Sequence, residues 1–218
     1  MTAPTSEEFP VTRRPRRPSR VVPLLAATLV VVAALITWYL LRRPRLAFTN
    51  ELAAPIWLAV GQAGPVSLAP GVTQTLSLPR SGSVVVQWNL ARPLSADERP
   101  MGEELRGSLV IREPSGTIHQ RAAARAPGVE YFAPLITNAA PELLRVAVNA
   151  GLEGAVDCGC AVRPGATRVF IGYYRLYQNS TVRARDPAGR TATFRDLGPQ
   201  VINRQGTLGL RFESKDFR

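Results

Sequence analysis

The chain has 218 residues, 45% of them hydrophobic, with 27 basic and 16 acidic side chains and a formal charge of +11. That length holds one ordinary domain, or two small ones plus an anchor, and the hydrophobic content excludes a disordered chain. Eight arginines and two glutamates within residues 1–45 carry +6 of the charge. The remaining +5 is spread over 173 residues without a basic run, so nucleic acid is not an expected partner.

Residues 1–20 read as a basic tail, with Arg13, Arg14, Arg16, Arg17 and Arg20. The next 21 residues, VVPLLAATLVVVAALITWYLL (21–41), carry no charge. As a helix they are about 31 Å long, which matches a bilayer core of about 30 Å, and a transmembrane helix is expected. The run is too long for a signal-peptide core and lacks a small-x-small cleavage site, so the anchor is retained. Trp38 and Tyr39 sit where an interfacial aromatic pair meets lipid or a partner. Five arginines precede the span and three follow it, which places the N-terminus in the cytoplasm. Arginine outnumbers lysine 26 to 1, the bias of a GC-rich bacterial genome. The expected location is therefore a bacterial inner membrane, crossed once, with residues 46–218 in the periplasm.

Beyond the span, IWLAV, VSLAP, QTLSL, SVVVQWNL, SLVIRE, RVAVN, RVFIGYYRLY, STVRAR and TATFR are short segments rich in β-branched or aromatic residues, separated by turn residues. FTNELAAPIWLAV (48–60) matches ITNAAPELLRVAV (136–148), each followed by a Pro-Gly, at Pro70-Gly71 and Pro164-Gly165. RGSLVIREPSGT (106–117) matches QNSTVRARDPAGR (178–190), and both end in turn residues suited to tight hairpins. The reading is a mainly β fold: one N-terminal transmembrane helix, then two small antiparallel β-sandwich, immunoglobulin-like domains at 46–132 and 133–218. LARPLSADERPMGEEL is an insertion in the first repeat, with Glu103-Glu104 on a solvated face.

Nothing in the sequence has the form of an enzyme. His119 is the single histidine, without a partnering constellation, and no nucleophile motif, phosphate loop or zinc spacing appears. No cofactor is expected. Cys158 and Cys160 are the only cysteines. As thiolates they suit Cu(I); in an oxidising compartment they pair with each other or with another chain, or serve only the framework. Tyr173, Tyr174 and Tyr177 place large side chains on both faces of IGYYRLY, as core or as contacts for a partner.

Two resemblances follow. A single span, an exported immunoglobulin-like β domain and a Cys-x-Cys shortly before Pro-Gly resemble the copper chaperone family that assembles cytochrome oxidase; this chain has CGCA where that family has Cys-Phe-Cys-Phe. The resemblance implies Cu(I) on Cys158 and Cys160. The layout of an anchor at 21–41 and paired β repeats resembles the single-span accessory subunits of bacterial photosynthetic reaction centre and antenna complexes, notably of the double-ring type. That resemblance implies a non-catalytic subunit that stabilises a larger membrane complex, its partners being other integral-membrane subunits and the lipid bilayer.

Overall fold

The computed structural model describes residues 21–41, 43–126, 128–152, 159–195, 197 and 202–218; for 21–26, 40, 41 and 126 it describes the backbone alone. The basic tail 1–20 and Cys158 lie outside the described residues. The chain divides into two compact units, residues 1–42 and 43–218.

In the first unit, α1 runs over Val21–Leu41. Among the described residues no helix is long and apolar enough to cross a membrane. The apolar side chains that are described are nevertheless exposed all round the helix, Leu29 at 70%, Val30 at 68% and Val31 at 56%.

The second unit is mainly β. Its strands begin with β1 (Arg45–Asn50), β2 (Ile56–Val60), β3 (Val66–Leu68), β4 (Thr73–Ser77), β5 (Ser83–Leu90), β6 (Arg106–Arg112) and β7 (Thr117–Ala122). These form two sheets, of order β4-β1-β7 and β3-β2-β5-β6. The alternation in SVVVQWNL turns Val84, Val86 and Leu90 inward, where they meet Leu46 and Phe48 of β1, Ile56 and Leu58 of β2, and Ile111 of β6 in one core.

The second half continues with β8 (Arg125–Ala126), β9 (Val129–Asn138), β10 (Leu144–Val148), β11 (Cys160–Val162), β12 (Val169–Phe170), β13 (Tyr174–Arg175), β14 (Val182–Arg185), β15 (Thr191–Phe194) and β16 (Thr207–Phe212). Here β9 pairs with β8, β12, β13 and β16, and a second sheet has the order β11-β10-β14-β15. Phe132, Ile136, Leu144, Val146, Val182, Ala184 and Phe212 meet in a second core. Ala133, one residue after Phe132, packs instead into the first core, so β9 serves both.

The two halves share one hydrogen-bond scheme. β1 pairs antiparallel with β4 and parallel with β7; β9 pairs antiparallel with β12 and parallel with β16. The Thr-Asn common to the matched segments ends β1 and β9 in a buried asparagine. The Asn50 amide donates to the carbonyls of Ala54 and Leu68, and its Oδ1 accepts the Leu52 N–H. Asn138 makes the same three bonds, to Glu142, Val162 and Ala140. Each asparagine carbonyl also accepts the N–H of the Pro-Gly glycine, Gly71 or Gly165. Only an asparagine of this reach offers a donor pair and an acceptor at one buried corner.

Three expectations need correction. The sheets are not purely antiparallel, because β1–β7 and β9–β16 run parallel. Glu113-Pro114-Ser115-Gly116 is a crossing between sheets, since β6 and β7 belong to different ones, whereas Asp186-Pro187-Ala188-Gly189 does close the β14–β15 hairpin. The repeat is also offset in its second part. STVRAR is the counterpart of SVVVQWNL, because β14 pairs with β10 and β15 as β5 pairs with β2 and β6.

Candidate interaction faces of the β unit

RVFIGYYRLY is not one strand. Gly172, at φ 102°, breaks it where it crosses the first-half insertion. A Cβ at Gly172 would lie 2.7 Å from the Gly102 Cα and the Met101 carbonyl, so backbone touches backbone and only glycine fits. The insertion is therefore an ordered strut. Met101 and Leu105 are buried, the Glu103 N–H donates to the Tyr173 carbonyl at 2.7 Å, and the Glu103 carboxylate accepts the Arg175 N–H at 2.8 Å.

Of the candidate contact residues, Tyr173 and Tyr174 are fully buried, at 0% and 1% exposure, and offer no surface to a partner. Tyr173 packs in the first core, where its hydroxyl donates to the Gln205 carbonyl at 2.6 Å and accepts the Ala53 N–H at 2.8 Å. Burial pushes its pKa up to about 12, the Ala53 N–H pulling the other way. Tyr174 packs in the second core and donates to the Ile171 carbonyl. Tyr177 is half-buried, with the Arg175 guanidinium 5.6 Å from its ring centroid. Trp38 and Tyr39 of α1 are 54% and 53% exposed.

Cys160, on β11, is buried and disulfide-bonded. Its Sγ lies 3.3 Å from the Met101 Sδ, a contact between two sulfurs, since a disulfide leaves no thiol proton to donate. His119 is exposed on β7 beside Glu51 and Arg121, around a shallow depression. Among the described residues no three His, Cys, Asp or Glu side chains gather to hold a metal.

The open surface lies on the outer faces of the two four-stranded sheets. On β3-β2-β5-β6, pairing sets Trp57 opposite Asn89, Ala59 opposite Gln87, and Val85 opposite Val110. Trp57, Val85 and Val110 are 46%, 41% and 52% exposed. A groove of about 660 Å³ runs between Trp57, Gln87, Asn89, Arg106 and Ser108, with Glu104 at its margin. On the opposite face, a Cβ at Gly107 would lie 2.3 Å from the Nε1 of its cross-strand partner Trp88, so the indole, packed against the first core, occupies the space a side chain would take.

The Asn-anchored repeat carries this groove into the second half. Trp57 and Arg145 both stand seven residues after the corner asparagine, and Ala59 and Ala147 nine after. Arg145 pairs opposite Arg185 as Trp57 pairs opposite Asn89. The second groove, about 480 Å³, is lined by Arg145, Ala147, Arg183, Arg185 and Thr191, among others. One position in the fold thus carries an indole and two amides in one half and three arginines in the other. Neither groove residue set stood out as a site in the sequence, although Trp57 is a strand aromatic there. The usable signal was the repeat itself, which aligns Trp57 with Arg145.

No protein-family model matches this chain, and no match is found among curated proteins or solved structures.

Proposed function

We propose that the chain is a non-catalytic, membrane-anchored accessory subunit that binds and stabilises a larger integral-membrane complex. Residues 21–41 span a bacterial inner membrane with the N-terminus in the cytoplasm, and residues 43–218 fold in the periplasm as two immunoglobulin-like sandwiches. The observation that carries this reading is the apolar sheet face of Trp57, Val85 and Val110, exposed on strands whose other faces are packed. On this face Trp57 stands beside Asn89 and Ala59 beside Gln87, with the Val85–Val110 pair further along the strands, and an exposed tryptophan with amides, an arginine and nearby valines suits a protein interface. The anchor supports it. A helix that is apolar all round has its environment in lipid or among other helices. The layout resemblance points to a photosynthetic reaction centre–antenna complex as the class of partner. Extraction in mild detergent tests the reading: the chain should leave the membrane within a large complex, and recovery only as a free monomer would overturn it.

A second reading, a membrane-tethered copper chaperone, is favoured by the Met101 thioether beside Cys160, a soft ligand next to a second sulfur once the disulfide is reduced. It requires that the reduced chain bind Cu(I) and that Cys160→Ser abolish the binding. A Cys158→Ser, Cys160→Ser variant with full function in cells would remove it.

A further inference from the structure

The groove of the second half gathers three arginines, Arg145, Arg183 and Arg185. Arg145 and Arg185 are direct cross-strand partners on β10 and β14, and Arg183 stands two residues from Arg185 on the same face. Directly opposed side chains in an antiparallel pair stand about 5 Å apart at Cβ, and i,i+2 neighbours about 7 Å, so three guanidiniums share one small region. Like charges placed so are destabilising. Among the described residues, neighbouring acids do not relieve them. Asp186 and Glu142 are both held by Arg190, at 2.7 and 3.5 Å, and none of the three groove arginines forms an ion pair among the described residues.

We propose that this groove binds a phosphate group. The three arginines line one cavity of about 480 Å³ with Ala147, Ala150 and Gly159, whose small side chains leave its floor open. A carboxylate has two oxygens and one charge and is satisfied by a single guanidinium fork. Three forks on one locus match a ligand with three or four oxygens and up to two charges, as phosphate has. Arg185 is placed for this by the hairpin. Its Nη2 lies over Gly189, 3.4 Å from where a Cβ would stand. The equivalent groove of the first half, with Trp57, Gln87 and Asn89 at these positions, lacks the charge and is not such a site. The phosphate groove and the Trp57 face lie on different sheets, so neither assignment depends on the other.

The source of the phosphate is either a soluble ester or a phospholipid headgroup. The full-length chain in neutral detergent at low ionic strength is titrated calorimetrically with inorganic phosphate, glycerol phosphate, dihexanoyl phosphatidylglycerol and, as zwitterionic control, dihexanoyl phosphatidylcholine. Saturable binding of phosphate or glycerol phosphate assigns a soluble ligand; saturation by the phosphatidylglycerol alone assigns a headgroup. In either case the Arg145→Gln, Arg183→Gln, Arg185→Gln variant loses at least tenfold in affinity, and Arg195→Gln, an exposed arginine off this groove, does not. With the repulsion removed and no phosphate present, Arg145→Gln melts no lower than the unaltered chain, which shows that the loss is not unfolding. Absence of saturable binding by every anionic probe, binding by phosphatidylcholine equal to that of phosphatidylglycerol, or unchanged affinity in the triple variant overturns the proposal.

Discussion

Replacing Asn138 by alanine tests whether the shared corner is held by side-chain hydrogen bonds or by packing alone. Asn138 is 1% exposed. The substitution deletes bonds to the Val162 carbonyl at 3.0 Å and the Ala140 N–H at 3.0 Å, both buried, and to the partly buried Glu142 carbonyl at 2.8 Å. A buried group left without its partner costs about 1–3 kcal/mol, and a partly buried one that water reaches costs less. Two of the first kind at the lower end and one of the second give a loss of about 3 kcal/mol. With a urea dependence of about 2 kcal/mol per M, the midpoint of unfolding falls by about 1.5 M. Asn50→Ala should cost as much or somewhat more, because all three of its bonds are buried. Urea unfolding of the full-length chain in detergent, followed by far-UV circular dichroism, reads both. Asn89, exposed on the outer sheet face, is the control, and Asn89→Ala should stay within about 0.5 kcal/mol. If Asn138→Ala and Asn89→Ala shift the midpoint equally, the hydrogen-bond account of the corner is wrong.

Gly172→Ala should destabilise by about 2–4 kcal/mol, through a positive φ and a collision with the Gly102 backbone, and this too is read by urea midpoint; Gly64→Ala, with open space around it, should change little. Tyr173 makes stability depend on pH in the alkaline range. Its pKa is raised from 10.0 to about 12, so its contribution is complete below pH 10 and is lost as pH rises through 12, on the order of 3 kcal/mol in all. Tyr173→Phe should flatten that part of the stability profile and, by orphaning the Ala53 N–H and Gln205 carbonyl, cost about 1–3 kcal/mol at neutral pH. Val85→Glu with Val110→Glu, both on the exposed face, should leave the urea midpoint within about 1 kcal/mol while releasing the chain from its partner in native electrophoresis.

Much of the first half is legible in the sequence, because alternation is strong there. SVVVQWNL and IWLAV appear as β5 and β2 with the bounds read from their patterns. The longest strand, β9, carries no such signal. Pro134 interrupts it, and its run of buried residues reflects neighbours on both faces rather than one wet face. β16 is hidden for a related reason, since its partner is a parallel strand some seventy residues earlier and TLGLRF carries a glycine at its centre. The Thr-Asn of the repeat is visible as a match, but its three hydrogen bonds become apparent only when Leu68 and Val162 are brought over the corner. The aromatic cluster 173–177 misleads, because the break at Gly172 sends Tyr173 into one core and Tyr174 into the other. The grooves were the least legible. Arg145 and Arg185 are forty residues apart, and only the register of β10 against β14 sets them face to face.

The most direct test of the accessory-subunit account is site-specific photo-crosslinking from position 57 in intact membranes, with a benzoylphenylalanine in place of Trp57 and a second chain carrying it at His119. The account predicts an adduct to an integral-membrane protein from position 57, lost on Val85→Glu with Val110→Glu, and none of comparable yield from position 119. Equal adducts from both positions, or none from position 57, would contradict it.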